Sequence, residues 1–218
     1  MLVLANITVN QTTNLLGRGY DSVVGMLITP LLKVSPIEVS ATNIPWAADN
    51  GAFSGFDAEK FQLFLKGIAD QPNCLFVVCP DVVSNARETL EMFAQWRGEI
   101  EYINQPVAFA LQDGQDDLEL PEADAYFVGG STKFKLSTSA DDLIAEGKRR
   151  GKWIHMGRVN TKRRIRHAHK RCIDSIDGTC MRFAGFGALI IMCEYVDMLN
   201  TYERIKNANK ASQRQEPR

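Results

Sequence analysis

Apolar residues along the chain fall into short continuous runs that alternate with segments of helical spacing. The runs at 75–79 and 107–111 contain no charged or amide side chain, which is typical of strands buried on both faces of a sheet. In the segment 57–70, apolar residues recur every three to four positions, which predicts a helix with one buried face. Strands are predicted at 45–48, 75–79, 107–111, 125–128, 153–156 and 173–176. Helices are predicted at 57–70, 85–98 (capped by Ser84), 141–150, 161–171 and 192–207, while the first forty residues give no clear assignment.

Buried strands that alternate with amphipathic helices predict an α/β fold with a parallel sheet, which is either open or closed into a barrel. The position of the polar residues favours the barrel, because the carboxyl ends of all its strands meet at one mouth. In an open sheet the same residues would be strung along an edge. We therefore predict a compact (β/α)8 barrel of the TIM type, with trimmed units because the chain has only 218 residues. The polar or glycine residues that follow predicted strands are Asp49, Asp81, Gln112, Gly129, Gly130, Gly157, Arg158 and Asp177.

Composition limits the class of protein. At 45% apolar residues the chain can bury one core, so we expect a single barrel domain over residues 1–205 and a polar, disordered tail at 206–218. Five cysteines without a CxxC pair, an export signal or a membrane-length apolar stretch predict a soluble cytoplasmic protein with reduced thiols. If the chain is encoded by a phage, this is the host cytoplasm. The sequence leaves the oligomeric state open.

Two aspartates stand out as candidates for chemistry on a sugar–base bond. Asp49 and Asp177 each end a short apolar run and are followed at once by glycine or Asn-Gly, a layout that leaves a carboxylate at the rim of a barrel. Two carboxylates that face one substrate can divide nucleophilic and acid/base work. An aspartate before glycine is, however, most often only a turn residue. Asp174 is expected to be a structural neighbour or a partner that tunes Asp177, and His155 to be a core histidine.

Positive charge is concentrated in one segment, 148–171, which holds 11 of the 25 lysines and arginines. In the barrel this segment is expected to flank the mouth beside Asp177, where it would contact phosphates and make binding sensitive to salt. The alternative is a solvated surface. The candidate phosphate contacts are Arg158, Lys162, Arg163, Arg164 and Arg166.

Six segments in order resemble the tRNA-guanine transglycosylase superfamily of TIM barrels, in particular its short DNA-acting branch, the 7-deazaguanine transglycosylases of bacterial and phage DNA modification. Residues 49–53, Asp-Asn-Gly-Ala-Phe, are similar to the family's Asp-Ser-Gly-Gly-Phe, and 174–177, Asp-Ser-Ile-Asp, to its Asp-x-x-Asp. The resemblance implies that Asp177 is the nucleophile and Asp49 the acid/base. The covalent aspartyl-glycosyl route needs neither a metal nor another cofactor.

The other four segments resemble the parts of the family that hold the base. Val-Cys-Pro-Asp at 78–81 implies that Asp81 grips the guanine edge, and Ala-Leu-Gln-Asp-Gly at 110–114 implies that Gln112 reads the base. Val-Gly-Gly at 128–130 implies that the backbone of Gly129 or Gly130 approaches it. His-Met-Gly-Arg-Val at 155–159 resembles the family's Gly-Val-Gly strand end. The candidates for stacking on an extruded base are Phe53, Tyr126, Phe127 and Met156.

The expected function is therefore exchange of guanine in DNA for a free 7-deazaguanine base, such as 7-cyano-7-deazaguanine. The chain departs from the tRNA enzymes, because it lacks the cysteine and histidine spacing of their zinc subdomain. Three alternatives stay open: the same reaction on tRNA, a nucleosidase or glycoside hydrolase that uses the same carboxylates, and a non-catalytic nucleic-acid-binding barrel.

Overall fold

Eight parallel strands close into a barrel in sequence order, with the last strand hydrogen-bonded to the first, so the predicted TIM-like barrel is confirmed. A computed structural model of the chain describes residues 1–30, 43–178 and 180–213, with side chains for all of these except 180–183 and 213. The strands are β1 (Leu2–Ala5), β2 (Val24–Ile28), β3 (Trp46–Ala48), β4 (Cys74–Val78), β5 (Val107–Leu111), β6 (Ala125–Val128), β7 (Trp153–Met156) and β8 (Ser175–Asp177).

Seven helices are present in the described ranges, and most of them follow a strand. They are α1 (Val9–Gly17), α2 (Ala58–Ile68), α3 (Ala86–Tyr102), α4 (Thr132–Lys135), α5 (Thr138–Arg149), α6 (Lys162–Lys170) and α7 (Cys180–Gln213). Short 3₁₀ turns at Ala52–Ser54 and Gln115–Asp117 lie in the loops after β3 and β5. Each strand thus ends at the mouth, and each following helix runs back towards the opposite end of the barrel.

The core has two layers because successive strand residues point to opposite faces. In β5, Ala108 and Ala110 face the barrel interior, while Val107, Phe109 and Leu111 belong to the outer layer between strands and helices. The interior cluster is built from Leu4, Leu27, Ala47, Phe76, Val78, Ala108, Ala110 and Ala125. Because these strands are buried on both faces, their sequences are unbroken apolar runs.

Residues near the N-terminus, which the sequence pattern left unassigned, supply β1, α1 and β2. Strand β1 pairs with β8 on one side and β2 on the other, so it closes the barrel. Asn85, rather than the predicted Ser84, caps α3: its side chain accepts a hydrogen bond from the Glu88 amide. Ser84 instead has a positive φ of 62° and lies one residue outside the cap.

The last helix is longer than expected. Helix α7 continues to Gln213 after an interruption at Gly185, where φ is +72°. The prediction of a disordered tail is therefore wrong for residues 206–213, which are helical, and residues 214–218 lie outside the described part of the chain. Polar residues with good helix propensity support the exposed turns, and one i,i+3 pair joins Lys206 to Glu203. Among the described residues, no helix has the length and apolar character to cross a membrane.

Candidate active site

One cavity of about 480 Å³ lies at the mouth of the barrel, where the carboxyl ends of the strands meet. The loop after every strand from β3 to β8 contributes to its wall. Seven of the eight polar or glycine positions that the sequence placed after strands line it, namely Asp49, Asp81, Gln112, Gly129, Gly130, Arg158 and Asp177, while Gly157 is not part of its lining. The structure thus brings the predicted site residues together, while their roles stay predictions.

Asp177, the last residue of β8, is buried and receives hydrogen bonds on both carboxylate oxygens. The backbone amide of Arg158 donates to Oδ1 at 3.0 Å, and Nε2 of His155 lies 3.1 Å from Oδ2. A carboxylate whose two oxygens both accept hydrogen bonds is held in one orientation. The side chain of Asp177 is therefore fixed in its position at the cavity wall.

His155 was expected to be a core histidine, and its hydrogen bonds place it directly behind Asp177. The indole N–H of Trp153 donates to Oγ of Ser175 at 2.9 Å, and the same oxygen lies 2.9 Å from Nδ1 of His155. Because a carboxylate oxygen can only accept, Nε2 of His155 is the donor to Oδ2 of Asp177. The ring is fully buried and stacks on Phe127 with centroids 4.8 Å apart.

Asp49 follows β3 and has a different environment from Asp177. The pKa of Asp49 is raised to about 6, first by burial and in addition by the negative charges of Asp177 and Asp81. The Gly51 amide, which donates to Oδ1 at 2.8 Å, and the charge of Arg158 oppose this shift of the pKa. A carboxyl group whose pKa is raised in this way can give up and take up a proton close to neutral pH, as a general acid and base requires.

Asp81 is held by two side-chain amides whose orientations the backbone determines. Asn50 accepts from the Ala52 amide and donates through Nδ2 to Asp81 Oδ1 at 2.7 Å. Gln112 accepts from the Ser84 amide and donates through Nε2 to Asp81 Oδ2 at 2.5 Å. Burial raises the pKa of Asp81, and these two hydrogen bonds oppose the rise. Asn50 was not among the predicted site residues, although it lies beside Asp49 in the sequence.

The two glycines after β6 are needed by the packing of this cluster. A Cβ on Gly129 would lie 2.8 Å from Nε2 of Gln112, and one on Gly130, where φ is +70°, would lie 2.6 Å from Asp113 Oδ2. The Gly129 amide already donates to the Leu111 carbonyl at 3.0 Å. Of the two glycine amides that were expected to approach the base, Gly130 is therefore the better candidate.

Arg158 and Phe53 meet at the rim of the cavity. The guanidinium lies over one face of the Phe53 ring, 4.0 Å from its centroid, and the side chain of Phe53 is 69% exposed. Phe53 and Phe127 line the cavity. The other two stacking candidates were wrong, because Tyr126 and Met156 are buried in the outer layer between strands and helices.

Two cations hold the turn that contains Arg158. Lys135, a buried lysine of α4, donates to the Gly157 carbonyl at 3.1 Å, and Arg164 donates to the Arg158 carbonyl at 3.3 Å. Arg158 has a φ of +57°, a conformation in which its amide points at Asp177. Burial and the charge of Arg158 lower the pKa of Lys135 to about 8, and the charge of Asp177 opposes this. The sequence pattern did not single out Lys135.

The basic segment was expected to flank the mouth as a whole, and this is wrong for its two ends. Lys148 pairs with Asp174, and Lys152 pairs with Glu122, at the end of the barrel where β7 begins. The reason is that α5 runs away from the mouth, so its last turn lies at the far end. Lys170 and Arg171, at the end of α6, lie there as well. The members left near the mouth are Arg158, Lys162, Arg163, Arg164 and, one turn further, Arg166.

Asp174 is a structural residue rather than a partner of Asp177. Its carboxylate accepts from Lys148 and from the Ile154 amide, just before β8 begins, at the end of the barrel opposite the cavity. Asp177 lies at the opposite end of β8.

Within the described ranges, no group of three or more histidine, cysteine, aspartate or glutamate side chains is arranged to hold a metal ion. Comparison with protein-family models found no match for the chain, and comparison with curated proteins likewise found none.

Proposed function

We propose that the protein is a transglycosylase that exchanges guanine in DNA for a 7-deazaguanine base through a covalent aspartyl-glycosyl intermediate. One observation carries the proposal: Asp177 and Asp49 line a single cavity, the first held in orientation by two hydrogen-bond partners and the second with a pKa raised to about 6. Paired carboxyl groups whose environments differ in this way are typical of enzymes that act on glycosidic bonds.

In the first half-reaction, Asp177 attacks C1′ of the deoxyribose while the bond from C1′ to N9 of guanine breaks. The electron pair of that bond leaves with the base, and protonated Asp49 supplies the proton that makes guanine neutral. Asp177 then holds the sugar as an ester. In the second half-reaction, Asp49 takes the N9 proton of the incoming 7-deazaguanine, N9 attacks C1′, and the ester bond breaks to free Asp177. Atoms, charge and protons balance without another reactant.

The cluster around Asp81 fits a guanine-like edge. A carboxylate clamped by Asn50 and Gln112 can accept hydrogen bonds from N1–H and the exocyclic amine of guanine. The second N–H of Gln112 and the Gly130 amide are suited to donate to O6. An adenine edge would leave these groups unpaired in a cavity, which costs enough to discriminate strongly between the bases. The volume of about 480 Å³ falls in the range typical of small-molecule sites.

DNA as the polymer is supported by the cations near the mouth. A guanine within a duplex cannot reach a cavity at the end of a barrel, so its nucleotide has to rotate out of the stack. The exposed cations Lys162 and Arg163 at the start of α6, and Arg158 at the rim, are placed to contact the neighbouring phosphates.

The test is base exchange by the purified full chain. The protein is incubated with duplex DNA or with tRNA and with 7-cyano-7-deazaguanine, and the nucleosides are measured by mass spectrometry. Asp177→Asn and Asp49→Asn are compared with Asp174→Asn, a matched change at the other end of β8. We expect the modified deoxynucleoside from the wild type and from Asp174→Asn, and none from the other two variants.

Each other outcome points to a different function. Incorporation into tRNA alone would mean that the substrate is tRNA rather than DNA. Release of guanine without incorporation would indicate a hydrolase. Exchange that persists in Asp177→Asn would contradict the covalent mechanism, and a wild type that binds DNA but performs neither reaction would favour the non-catalytic barrel.

A further inference from the structure

Four hydrogen-bonding side chains follow one another along the boundary between β7 and β8 inside the barrel. Successive strand residues point to opposite faces, so Trp153 and His155 of β7 share the interior face, as do Ser175 and Asp177 of β8. The strands are parallel, and His155 lies level with Ser175 in their register. Trp153 is therefore one layer nearer the far end of the barrel, and Asp177 one layer nearer the mouth. These four residues are called the β7–β8 network below.

Three contacts join the network in order from the far end to the mouth. The indole N–H of Trp153 donates to Oγ of Ser175, this oxygen lies 2.9 Å from Nδ1 of His155, and Nε2 of the same ring donates to Oδ2 of Asp177 at 3.1 Å. Ser175 and His155 are fully buried. Bulk water therefore cannot replace a partner that either of them loses, and a change at one end has to be absorbed by the other members.

Trp153 belongs to the end of the barrel opposite the candidate active site. Its half-buried ring packs on the interior core cluster and lines a cleft of about 880 Å³ at the far end, and it is not part of the lining of the cavity at the mouth. A tryptophan at such a position can direct its N–H to solvent. This indole N–H is instead directed into the barrel, at Ser175.

We propose that Trp153 is a positioning residue for Asp177, which it reaches across the barrel through Ser175 and His155. The donation from Trp153 fixes Oγ of Ser175, that oxygen fixes the rotation of the His155 ring, and the ring fixes one carboxylate oxygen of Asp177. A nucleophile loses rate when its orientation is loosened by even a fraction of an ångström. The effect on rate rests on the proposed function of Asp177, whereas the connection between the two residues does not.

The first test follows the connection without any reaction. The chain has three tryptophans, so its ¹H–¹⁵N spectrum contains three indole signals, and Trp153→Phe identifies the one that belongs to Trp153. We expect Asp177→Asn to shift this signal, because it changes the acceptor at the other end of the network. Asp49→Asn, the same change in the same cavity but outside the network, should leave the signal in place. A Trp153 signal that Asp177→Asn does not move, or that both variants move equally, would overturn the proposal.

Ser175→Ala tests the route of the connection. Alanine removes the oxygen that joins the indole to the imidazole, so in this background Asp177→Asn should no longer shift the Trp153 signal. The signal of Trp46, whose indole donates to the Pro72 carbonyl at 2.7 Å, serves as the reference for the folded state. A shift that persists without the Ser175 hydroxyl would mean that Trp153 and Asp177 communicate through general packing, which contradicts the proposal.

The second test is kinetic. Trp153→Phe should lower kcat for base exchange about 2- to 10-fold and leave KM unchanged, the range expected when one neutral hydrogen bond is lost. Trp46→Phe is the matched control, since it removes another hydrogen-bonded indole outside the network, and it should keep the kcat of the wild type. Trp153→Phe combined with Ser175→Ala should lose no more than Ser175→Ala alone, because both changes break the same network.

The outcomes separate this proposal from the proposed function. An unchanged kcat in Trp153→Phe, or losses that add in the double variant, would show that Trp153 does not act through Ser175. A wild type without base exchange would contradict the proposed function, while the indole signals would still decide whether Trp153 and Asp177 are connected.

Discussion

Nε2 of His155 lies 3.1 Å from Oδ2 of Asp177, and Nδ1 on the other side of the same ring lies 2.9 Å from Oγ of Ser175. The arrangement depends on Ser175, which receives the indole N–H of Trp153 and faces Nδ1. His155 thus orients the carboxylate of Asp177 through a hydrogen bond. In this role it differs from a histidine that exchanges protons with the substrate.

Replacing His155 by phenylalanine should lower kcat for base exchange about 10- to 100-fold, because a hydrogen bond to a charged group contributes about 1.5–3 kcal/mol. Phenylalanine preserves the packing of the ring on Phe127 and Phe76 while it removes the donor. Steady-state kinetics would show the loss mainly in kcat and little in KM. Ser175→Ala should give a smaller loss, since it frees the tautomer but keeps the ring. An unchanged kcat in His155→Phe would contradict the orienting role.

The first half-reaction should slow as the pH rises through about 6. Asp49 has a pKa of about 6 in the folded protein, and only its protonated form can supply the proton that leaves with guanine. The measurement is the single-turnover rate of guanine release between about pH 5 and 8. An increase of this rate with pH over the same window would show that Asp49 acts first as a base.

Asp49→Asn should stabilise the protein near neutral pH while it abolishes exchange. The pKa of Asp49 is raised from 3.8 in the unfolded chain to about 6 in the folded one, so the unfolded chain gives up its proton more readily. The wild type therefore loses stability as the pH rises from about 4 to 6, and the loss persists above that. Thermal unfolding at pH 7.5 should show a higher Tm for Asp49→Asn, and at pH 4 the two proteins should unfold at similar temperatures. A lower Tm for the variant at pH 7.5 would contradict the raised pKa.

The barrel and the residues at its strand ends could be predicted because they depend on local sequence. Strands β5 and β6 coincide with continuous apolar runs, and a residue directly after such a run lies at the mouth. Strands β1 and β2 are also apolar runs, but α1 between them contains the polar run Asn-Gln-Thr-Thr-Asn, so no amphipathic helix marked them as part of the alternating pattern.

The supporting residues of the site depend on contacts between distant segments. His155 lies in an apolar strand like any core residue, and its partner Ser175 faces it only through the register of β7 and β8. Lys135 ends a short helix that is rich in polar residues, and such a sequence predicts an exposed position. In the structure, however, its side chain is buried under the turn after β7. The position of the basic segment was predicted from its composition alone. Composition does not give the direction in which α5 runs, and that direction places the last turn of α5 at the far end of the barrel.

Lys135→Met should leave the fold as stable as the wild type or more stable, and should still lower kcat. At neutral pH the buried ammonium costs stability, because its pKa falls from 10.5 in the unfolded chain to about 8 in the folded one. The cost is greatest below pH 8 and disappears as the pH rises towards 10.5. The ammonium holds the Gly157 carbonyl, and the next amide in the chain, that of Arg158, orients Asp177. Thermal unfolding and kcat measured on the same variant separate the two effects, and a lower Tm with unchanged kcat would mean that Lys135 is only structural.

Cations at the two ends of the barrel should affect DNA binding differently. Arg163 lies in the first turn of α6 near the mouth and is exposed, whereas Arg149 is the last residue of α5 and pairs with Glu146 at the far end. The logarithm of the binding constant falls linearly with the logarithm of the salt concentration. Each phosphate contact adds about 0.9 to the steepness of this line. Arg163→Ala should therefore weaken binding to a duplex and reduce the slope by about one contact, and Arg149→Ala should change neither. Fluorescence anisotropy between about 50 and 300 mM salt, a range over which such contacts weaken strongly, measures both quantities. Equal effects of the two variants would mean that DNA does not approach the protein at the mouth of the barrel.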